Sequence, residues 1–323
     1  MKAIRKVLVT GGSGFIGTNL SKKLIDRGIQ VKVLDDFSSS NESSLLGLNL
    51  EIIKGSVTDR FLLENETTEC DAIIHLAARG SVPRSIINPE ATFQVNIQGT
   101  INVCEVARLR SIPIVFSSSS SVYGLNDEEN KSEEEWLAPI SPYAASKLSG
   151  ETIVTAYSRT FNFPTAVFRL FNVYGPGQRP EHQYSAVIPR WIWSAMRKDK
   201  LMVYGDGETT RDFTYVDNVV DVIVSTLINQ RFFDGITNLA FGNPSSLNTV
   251  LKAVQDFFPT LKTIYLEPRP GDIRSSANGS NRLKQLFPEI MPTDLIDGIN
   301  STITWLLQEQ SAIESNPVVV LNN

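Results

Sequence analysis

Two periodicities of apolar residues alternate along the first half of the chain. Short, nearly continuous β-branched runs at Lys6–Thr10, 31–35, 50–53, 72–76 and 112–117 have the length of buried strands. Between them lie stretches with apolar positions at near-helical intervals, such as 15–27, and 89–109 with Phe93, Ile97, Ile101, Val103 and Val106. A further helix is predicted over Pro142–Phe161 and a strand over Thr165–Leu170, whereas beyond residue 174 the texture becomes shorter and richer in Gly and Pro. There a Trp-bearing helix is expected at Val187–Met196 and another at 218–227, with 237–241 returning to the main sheet. The βαβ rhythm specifies an α/β fold, a Rossmann-like doubly wound parallel sheet with right-handed crossovers and a smaller C-terminal α/β domain. The expected organisation is 1–174 for the sheet domain, 175–310 for the smaller domain and 311–323 for a tail.

The 323 residues are 41% hydrophobic, enough for a sizeable core. A net charge of -5 offers no basic field for a nucleic-acid backbone, so no nucleic-acid partner is expected. Two cysteines (Cys70, Cys104) and two histidines (His75, His182) make neither a disulfide framework nor a metal cluster. No run approaches the length of a membrane span, and the apolar start of the chain enters glycines rather than a signal-peptide core, so a soluble, reduced, cytoplasmic protein is expected.

Residues 7–17 read VLVTGGSGFIG, placing Gly11, Gly14 and Gly17 immediately after a strand. The first allows the tight turn, the second close approach to a pyrophosphate, and the third close helix–sheet packing, with the helix N-terminus aimed at anionic oxygens. Asp35, eighteen residues past Gly17, can accept hydrogen bonds from ribose hydroxyls. With Asp36 it would repel a 2'-phosphate, which favours NAD over NADP. Ala77 and Ala78 leave room for backbone beside the cofactor; His75 reads as a satisfied core histidine. Asn96 suits either an active-site hydrogen bond or a buried polar network.

The strand ending at residue 117 runs into SSSSSVYG, and twenty residues after Tyr123 comes YAASK. Tyr143 and Lys147, four apart on a predicted helix, share one face. An ammonium there, with an oxidised nicotinamide, would lower the phenol pKa, letting Tyr143 take a proton from an alcohol while Ser119 orients the oxygen. The other serines also suit a polar turn leaving the sheet.

The ordered set TGGSGFIG, HLAA, SSSSSVYG, YAASK, FRLFNVYGPGQ, AVIPR, VYGDGETTRDFTYVDNV and RPGD resembles the extended short-chain dehydrogenases/reductases of the NAD-dependent epimerase/dehydratase family, particularly UDP-hexose 4-epimerases. The resemblance implies Tyr143 as base, Ser119 as its hydrogen-bonding serine and Lys147 as activator and ribose ligand. Cofactor contacts implied by the motifs also include Phe15, Ile16, Leu76 and Ser117, with Asp59 near adenine and Asn96 on the nicotinamide side. For a UDP-sugar substrate it places Asn172 near the diphosphate, Ala186, Val187, Ile188, Val203 and Tyr204 beside the uridine, and Asp272 near its ribose. Arg211 and Arg269 could grip the diphosphate or be ordinary surface arginines. Ser81 and Arg84 are placed near the sugar, and small Ser276 at a gate that leaves room for an acetamido group. Trp191 and Trp193 read more readily as packing than as stacking residues.

The implied reaction interconverts UDP-N-acetylglucosamine with UDP-N-acetylgalactosamine, or UDP-glucose with UDP-galactose, through a transient 4-keto sugar, with UDP-glucuronate as a third substrate class. A 4,6-dehydratase would carry an Asp-Glu pair where Ser120 and Ser121 stand; simple dehydrogenation and a non-enzymatic NAD sensor are the remaining alternatives. A homodimer is implied, built from the 89–109 and Pro142–Phe161 helices.

Overall fold

The computed structural model describes residues 3–180, 186–268 and 274–315. Arg269, Asp272, His182 and the tail beyond 315 lie outside the described residues. The first half runs β1 (Lys6–Thr10), α1 (Phe15–Asp26), β2 (Gln30–Asp35), β3 (Glu51–Lys54), α2 (Arg60–Glu66) and β4 (Ala72–His75), then α3 (Val82–Ile87), α4 (Pro89–Phe93) and α5 (Gly99–Arg110). It continues through β5 (Ile114–Ser119), β6 (Asn130–Lys131), α6 (Pro142–Phe161), β7 (Thr165–Leu170) and β8 (Val173–Tyr174). The rest comprises α7 (Val187–Met196), β9 (Leu201–Tyr204), β10 (Thr210–Asp212), β11 (Thr214–Tyr215), α8 (Val216–Ile228), β12 (Ile236–Leu239), β13 (Pro244–Ser246) and α9 (Leu247–Phe257). It ends with β14 (Thr263–Leu266), β15 (Ser275–Asn278), α10 (Arg282–Leu286) and α11 (Leu295–Ser315).

Seven parallel strands form the main sheet in the order β12-β7-β5-β4-β1-β2-β3. Continuous apolar strands need cover on both faces. One face, through Val7, Val9, Val33 and Phe168, packs against Leu20 and Leu24 of α1 and Val219 and Ile223 of α8. The opposite face, through Leu8, Ile73, Phe116 and Val167, packs against Leu63 of α2, Val103 of α5 and Val154 of α6. The late segment returns as expected: β12 pairs in parallel with β7 at the sheet edge.

The single helix expected over 89–109 is instead interrupted. Asn88 caps α4 by accepting from the Ala91 amide at 3.0 Å, with Pro89 at its start, and a π-helical turn at Gln94–Gln98 separates α4 from α5. The wider turn turns Asn96 into the interior, where it is buried. The expected tail is also shorter, because α11 continues to Ser315.

A third core, with Ile188, Trp191 and Ile192 of α7, Val250 and Val254 of α9 and Ile299 and Ile303 of α11, underlies the C-terminal elements. Beside it, β13-β10-β15-β6 forms a small sheet in which β10 and β15 run parallel, with Arg211 opposite Ser276. Among the described residues no helix is long and apolar enough to cross a membrane.

Candidate active site

The first cleft opens at the carboxyl ends of β1, β2 and β4, where a doubly wound sheet places its ligand. Gly11 has φ +71°, and a Cβ there would sit 2.6 Å from the Ala77 nitrogen, so the turn is closed to any side chain. A Cβ on Gly17 would run into the Gly11 carbonyl, which fixes how closely α1 approaches β1. Gly14 begins α1 with no side-chain cap and no acidic residue in the first turn, leaving the helix N-terminus available to an anion. Asp35 is buried, its carboxylate accepting from the amides of Ser13 at 3.0 Å and Phe37 at 2.9 Å. Gly11, Gly14, Asp35, Asp36, Leu76, Ala77 and Ala78 line the cavity, about 120 Å³, together with 38–40, Gly55, Ser56, Val57, Arg79 and Val95. A glycine turn that a Cβ would fill and a carboxylate held at a strand end fit a dinucleotide such as NAD.

Some residues expected here are used elsewhere. Asp59 is exposed and caps α2, accepting from the Leu62 amide at 3.0 Å, while Ser56 and Val57 supply the wall. Phe15 lines a neighbouring cavity rather than this one, and Ile16 packs at the edge of the first core. Asn96 accepts from the Arg79 amide at 2.7 Å and donates to Ser146 at 2.9 Å, which in turn donates to the Tyr143 carbonyl at 2.7 Å. Asn96 is thus a strut between the β4 loop and the start of α6. His75 is a satisfied core histidine, its ring nitrogens 2.7 Å from Thr10 Oγ1 and 3.1 Å from Thr100 Oγ1. Burial, aided by the Lys147 charge, lowers its pKa to about 3.

The second part of the site is a junction of β5 with α6. Ser141 caps α6 and Pro142 opens it, starting the helix so that Tyr143, Lys147 and Glu151 face the strand. Three consecutive serines meet them: the Ser117 carbonyl accepts from Lys147 Nζ at 2.8 Å, Ser118 Oγ donates to Glu151, and Ser119, whose Oγ accepts from the Ser121 amide at 3.2 Å, shares a cavity wall with Tyr143. Glu151 is held in a buried bidentate pair with Arg169, both contacts 2.9 Å. Ser117 Oγ itself donates to the His75 carbonyl at 3.2 Å, so its side chain ties β5 to β4.

Burial pushes the Tyr143 phenol above its ordinary value, and the interaction offsetting this is the hydrogen bond from Ser119, not Lys147. Burial also lowers Lys147, to about 8, with Glu151 supporting its charge. The ammonium is spent on the Ser117 carbonyl and lies 5.3 Å from the Phe116 ring centroid.

Ser119 and Tyr143 open into a cavity of about 400 Å³ whose wall also holds Ser120, Ser121, Lys131, Asn172, Arg211 and Ser276. Asn172 takes φ 35°, a conformation that Asn tolerates better than most side chains, and donates to the Asp212 carbonyl at 3.1 Å. Asn172 and Arg211 also line the adjoining cavity of about 230 Å³, with Ala186, Val187, Ile188 and Tyr204. Val203 does not face it: strand alternation turns Val203 into the third core and presents Met202 and Tyr204 instead. Arg190, Phe213 and Leu247, unassigned by the sequence reading, complete this mostly apolar wall. Trp191 is buried, donating to the Met202 carbonyl at 3.3 Å while one edge meets the cavity. Trp193, half-buried, is not in the lining. Ser81 caps α3 by accepting from the Arg84 amide at 3.3 Å, and neither residue lines the hexose-sized cavity, which Val82 reaches instead.

A glycine-turn cleft that fits a dinucleotide, a Ser–Tyr–Lys junction and a two-lobed cavity beyond it are the parts of a site suited to an NAD-dependent enzyme. The NAD dependent epimerase/dehydratase family matches residues 7–239, and the chain belongs to that family of nucleotide-sugar enzymes, with NAD as its cofactor. It is 32% identical over 306 residues to the putative UDP-glucose 4-epimerase of Methanocaldococcus jannaschii, covering 93% of this chain and 98% of that one. The solved UDP-N-acetylglucosamine 4-epimerase of Methanobrevibacter ruminantium M1, in complex with UDP-N-acetylmuramic acid, is 32% identical with a TM-score of 0.88, covering 96% of this chain and 100% of that one. A UDP-N-acetyl-alpha-D-glucosaminuronate decarboxylase of Bacillus cytotoxicus is 31% identical, over 77% of this chain and 79% of its own.

Proposed function

We propose that the chain is a UDP-hexose 4-epimerase that takes UDP-N-acetylglucosamine and UDP-N-acetylgalactosamine as its preferred pair and UDP-glucose and UDP-galactose as its second. The observation that carries this reading is the wall around Ser119 and Tyr143, which contains no carboxylate among the described residues. A dehydratase must move protons at neighbouring sugar carbons as well as at the oxidised one, and Ser120 and Ser121 stand in this wall where it would need acid/base groups. An epimerase needs one base, an oriented oxygen and room to turn.

Tyr143 takes the proton of the sugar 4-hydroxyl, and Ser119 holds that oxygen while it becomes a carbonyl. Ser119 Oγ already accepts from the Ser121 amide at 3.2 Å, which fixes the hydroxyl on the wall it shares with Tyr143. NAD, when bound, supplies the acceptor and then the donor of the hydrogen on carbon 4. Between the two transfers the keto sugar swings about its diphosphate link, anchored by Asn172 and Arg211 at the junction of the two cavities. Tyr143 then returns the proton to the 4-oxygen once carbon 4 has regained its hydrogen on the opposite face, and its raised pKa suits it to hold that proton between the two transfers. Gly11, Gly14, Asp35 and the Ala77–Ala78 backbone would hold the cofactor, with Lys147 reaching its ribose.

The small Ser276 side chain, opposite Arg211, leaves space on the hexose wall for an acetamido group. Ser276→Tyr is expected to lower kcat/KM for UDP-N-acetylglucosamine about tenfold or more relative to UDP-glucose. An unchanged ratio of the two would remove the gate from the account.

A further inference from the structure

Arg79 is the cation of the dinucleotide cleft, and neither the glycine motif nor the Tyr–Lys pair accounts for it. It directly follows the Leu76–Ala78 backbone that lies against the glycine turn, and among the described residues lining the cleft it is the only Lys or Arg. Its amide is fixed by Asn96 Oδ1 at 2.7 Å, so the start of the side chain is anchored. The guanidinium has no hydrogen bond or ion pair with any described residue, and its Nε is shielded from solvent without a partner. An arginine left half-buried and unpaired is costly unless something else supplies the acceptor.

The charge balance says what that acceptor is. Asp35 and Asp36 stand on the same wall, and no described cation forms an ion pair with either. A dinucleotide adds two negative phosphates to these two carboxylates, and besides Arg79 the described lining of this cleft offers them the partial positive charge of the α1 N-terminus. The carbonyl-bound ammonium of Lys147 is not in the lining of this cleft. We propose that Arg79 is the counter-cation of the cofactor's diphosphate, swinging from its Asn96-anchored backbone onto phosphate oxygens beside the Gly11 turn. A guanidinium suits phosphate through charged, often bidentate, hydrogen bonds.

Arg79→Met keeps the length of the stem and removes the charge, and it breaks no side-chain contact described above. Titration calorimetry on the full chain freed of cofactor would compare ADP-ribose, which carries the diphosphate, with adenosine, which carries none, and with UDP. The variant is expected to bind ADP-ribose about ten- to a hundred-fold more weakly and to bind adenosine and UDP within about twofold of wild type. Arg79→Lys, a point charge without the fork, is expected to fall between. Equal weakening of ADP-ribose and adenosine would make Arg79 a structural residue, weakening of UDP alone would move it to the substrate, and unchanged ADP-ribose affinity would leave it without a role; each overturns the proposal. The readout is equilibrium binding, so it stands apart from the epimerase reading.

Discussion

At Tyr143 two opposing effects set the chemistry. Burial makes the phenolate unfavourable, and the Ser119 hydroxyl, itself fixed on the Ser121 amide, recovers part of the loss. Tyr143→Phe removes the proton carrier while leaving the ring to pack, so turnover should fall by about 10² to 10⁴ with folding intact. Steady-state assay beside circular dichroism checks this; a variant with near-normal turnover would show that another group is the base. His75 offers a separate test through stability. Its pKa is about 3 in the folded protein against about 6.5 when unfolded, so between these values the unfolded chain binds the extra proton. This contribution is complete above about pH 6.5 and is lost as pH falls toward 3, by up to about 1.4 kcal/mol per pH unit. His75→Gln should be less stable at neutral pH, through its Thr10 and Thr100 contacts, yet lose less on acidification. Denaturant titrations at several pH values would show it, and an acid slope identical to wild type would contradict it.

The elements show which parts of the site a sequence discloses. Pro142–Phe161 was readable to its ends because Ser141 and Pro142 are a capping pair and Asn162 closes it with φ 54°. That register in turn puts Tyr143, Lys147 and Glu151 in line. Asp59, placed near adenine by the resemblance, caps α2 and is absent from the described cleft lining; its position just before Arg60–Glu66 was the available signal for the cap. Val203 misled because a family motif names a strand, whereas alternation decides which of its side chains face the ligand. The break in 89–109 depends on burying Asn96, a tertiary demand that periodicity does not carry. Nor does any local pattern mark Arg79, whose meaning comes from what surrounds it in space. The helices also bear on assembly. Phe93, Leu109 and Phe161, on α4, α5 and α6, are exposed apolar side chains, and the proposed homodimer would cover this face by pairing the α4–α5 and α6 helices of two copies. Multi-angle light scattering should report twice 35.8 kDa across a dilution series; a constant monomer mass would rule the pairing out.

On the scale of the whole molecule, the seven-stranded sheet does two things with one edge. The carboxyl ends of β1, β2 and β4 border the cleft that carries the glycine turn, and β5 next to them brings Ser119 onto one wall with Tyr143, so on the proposed reading cofactor and proton carrier would meet at one sheet edge. The C-terminal elements, held by their own core around Trp191, Val250 and Ile303, supply most of the wall of the 230 Å³ cavity and the Arg211–Ser276 rung of the cavity beside Tyr143. The parallel sheet and the return of β12 to its edge were legible from the start; the small sheet β13-β10-β15-β6 and the side of β9 that meets the cavity were not. On the proposed reading, a wall with no carboxylate among the described residues turns a sugar over and neither dehydrates nor releases it oxidised. The most direct measurement is to incubate the purified protein, supplied with NAD and no reductant, with UDP-N-acetylglucosamine and resolve the products by chromatography. The account predicts UDP-N-acetylgalactosamine approaching a fixed ratio from either direction, with no net reduction of NAD. A 4-keto-6-deoxy product, accumulation of reduced cofactor in step with substrate loss, or no epimer from this substrate or UDP-glucose would contradict it.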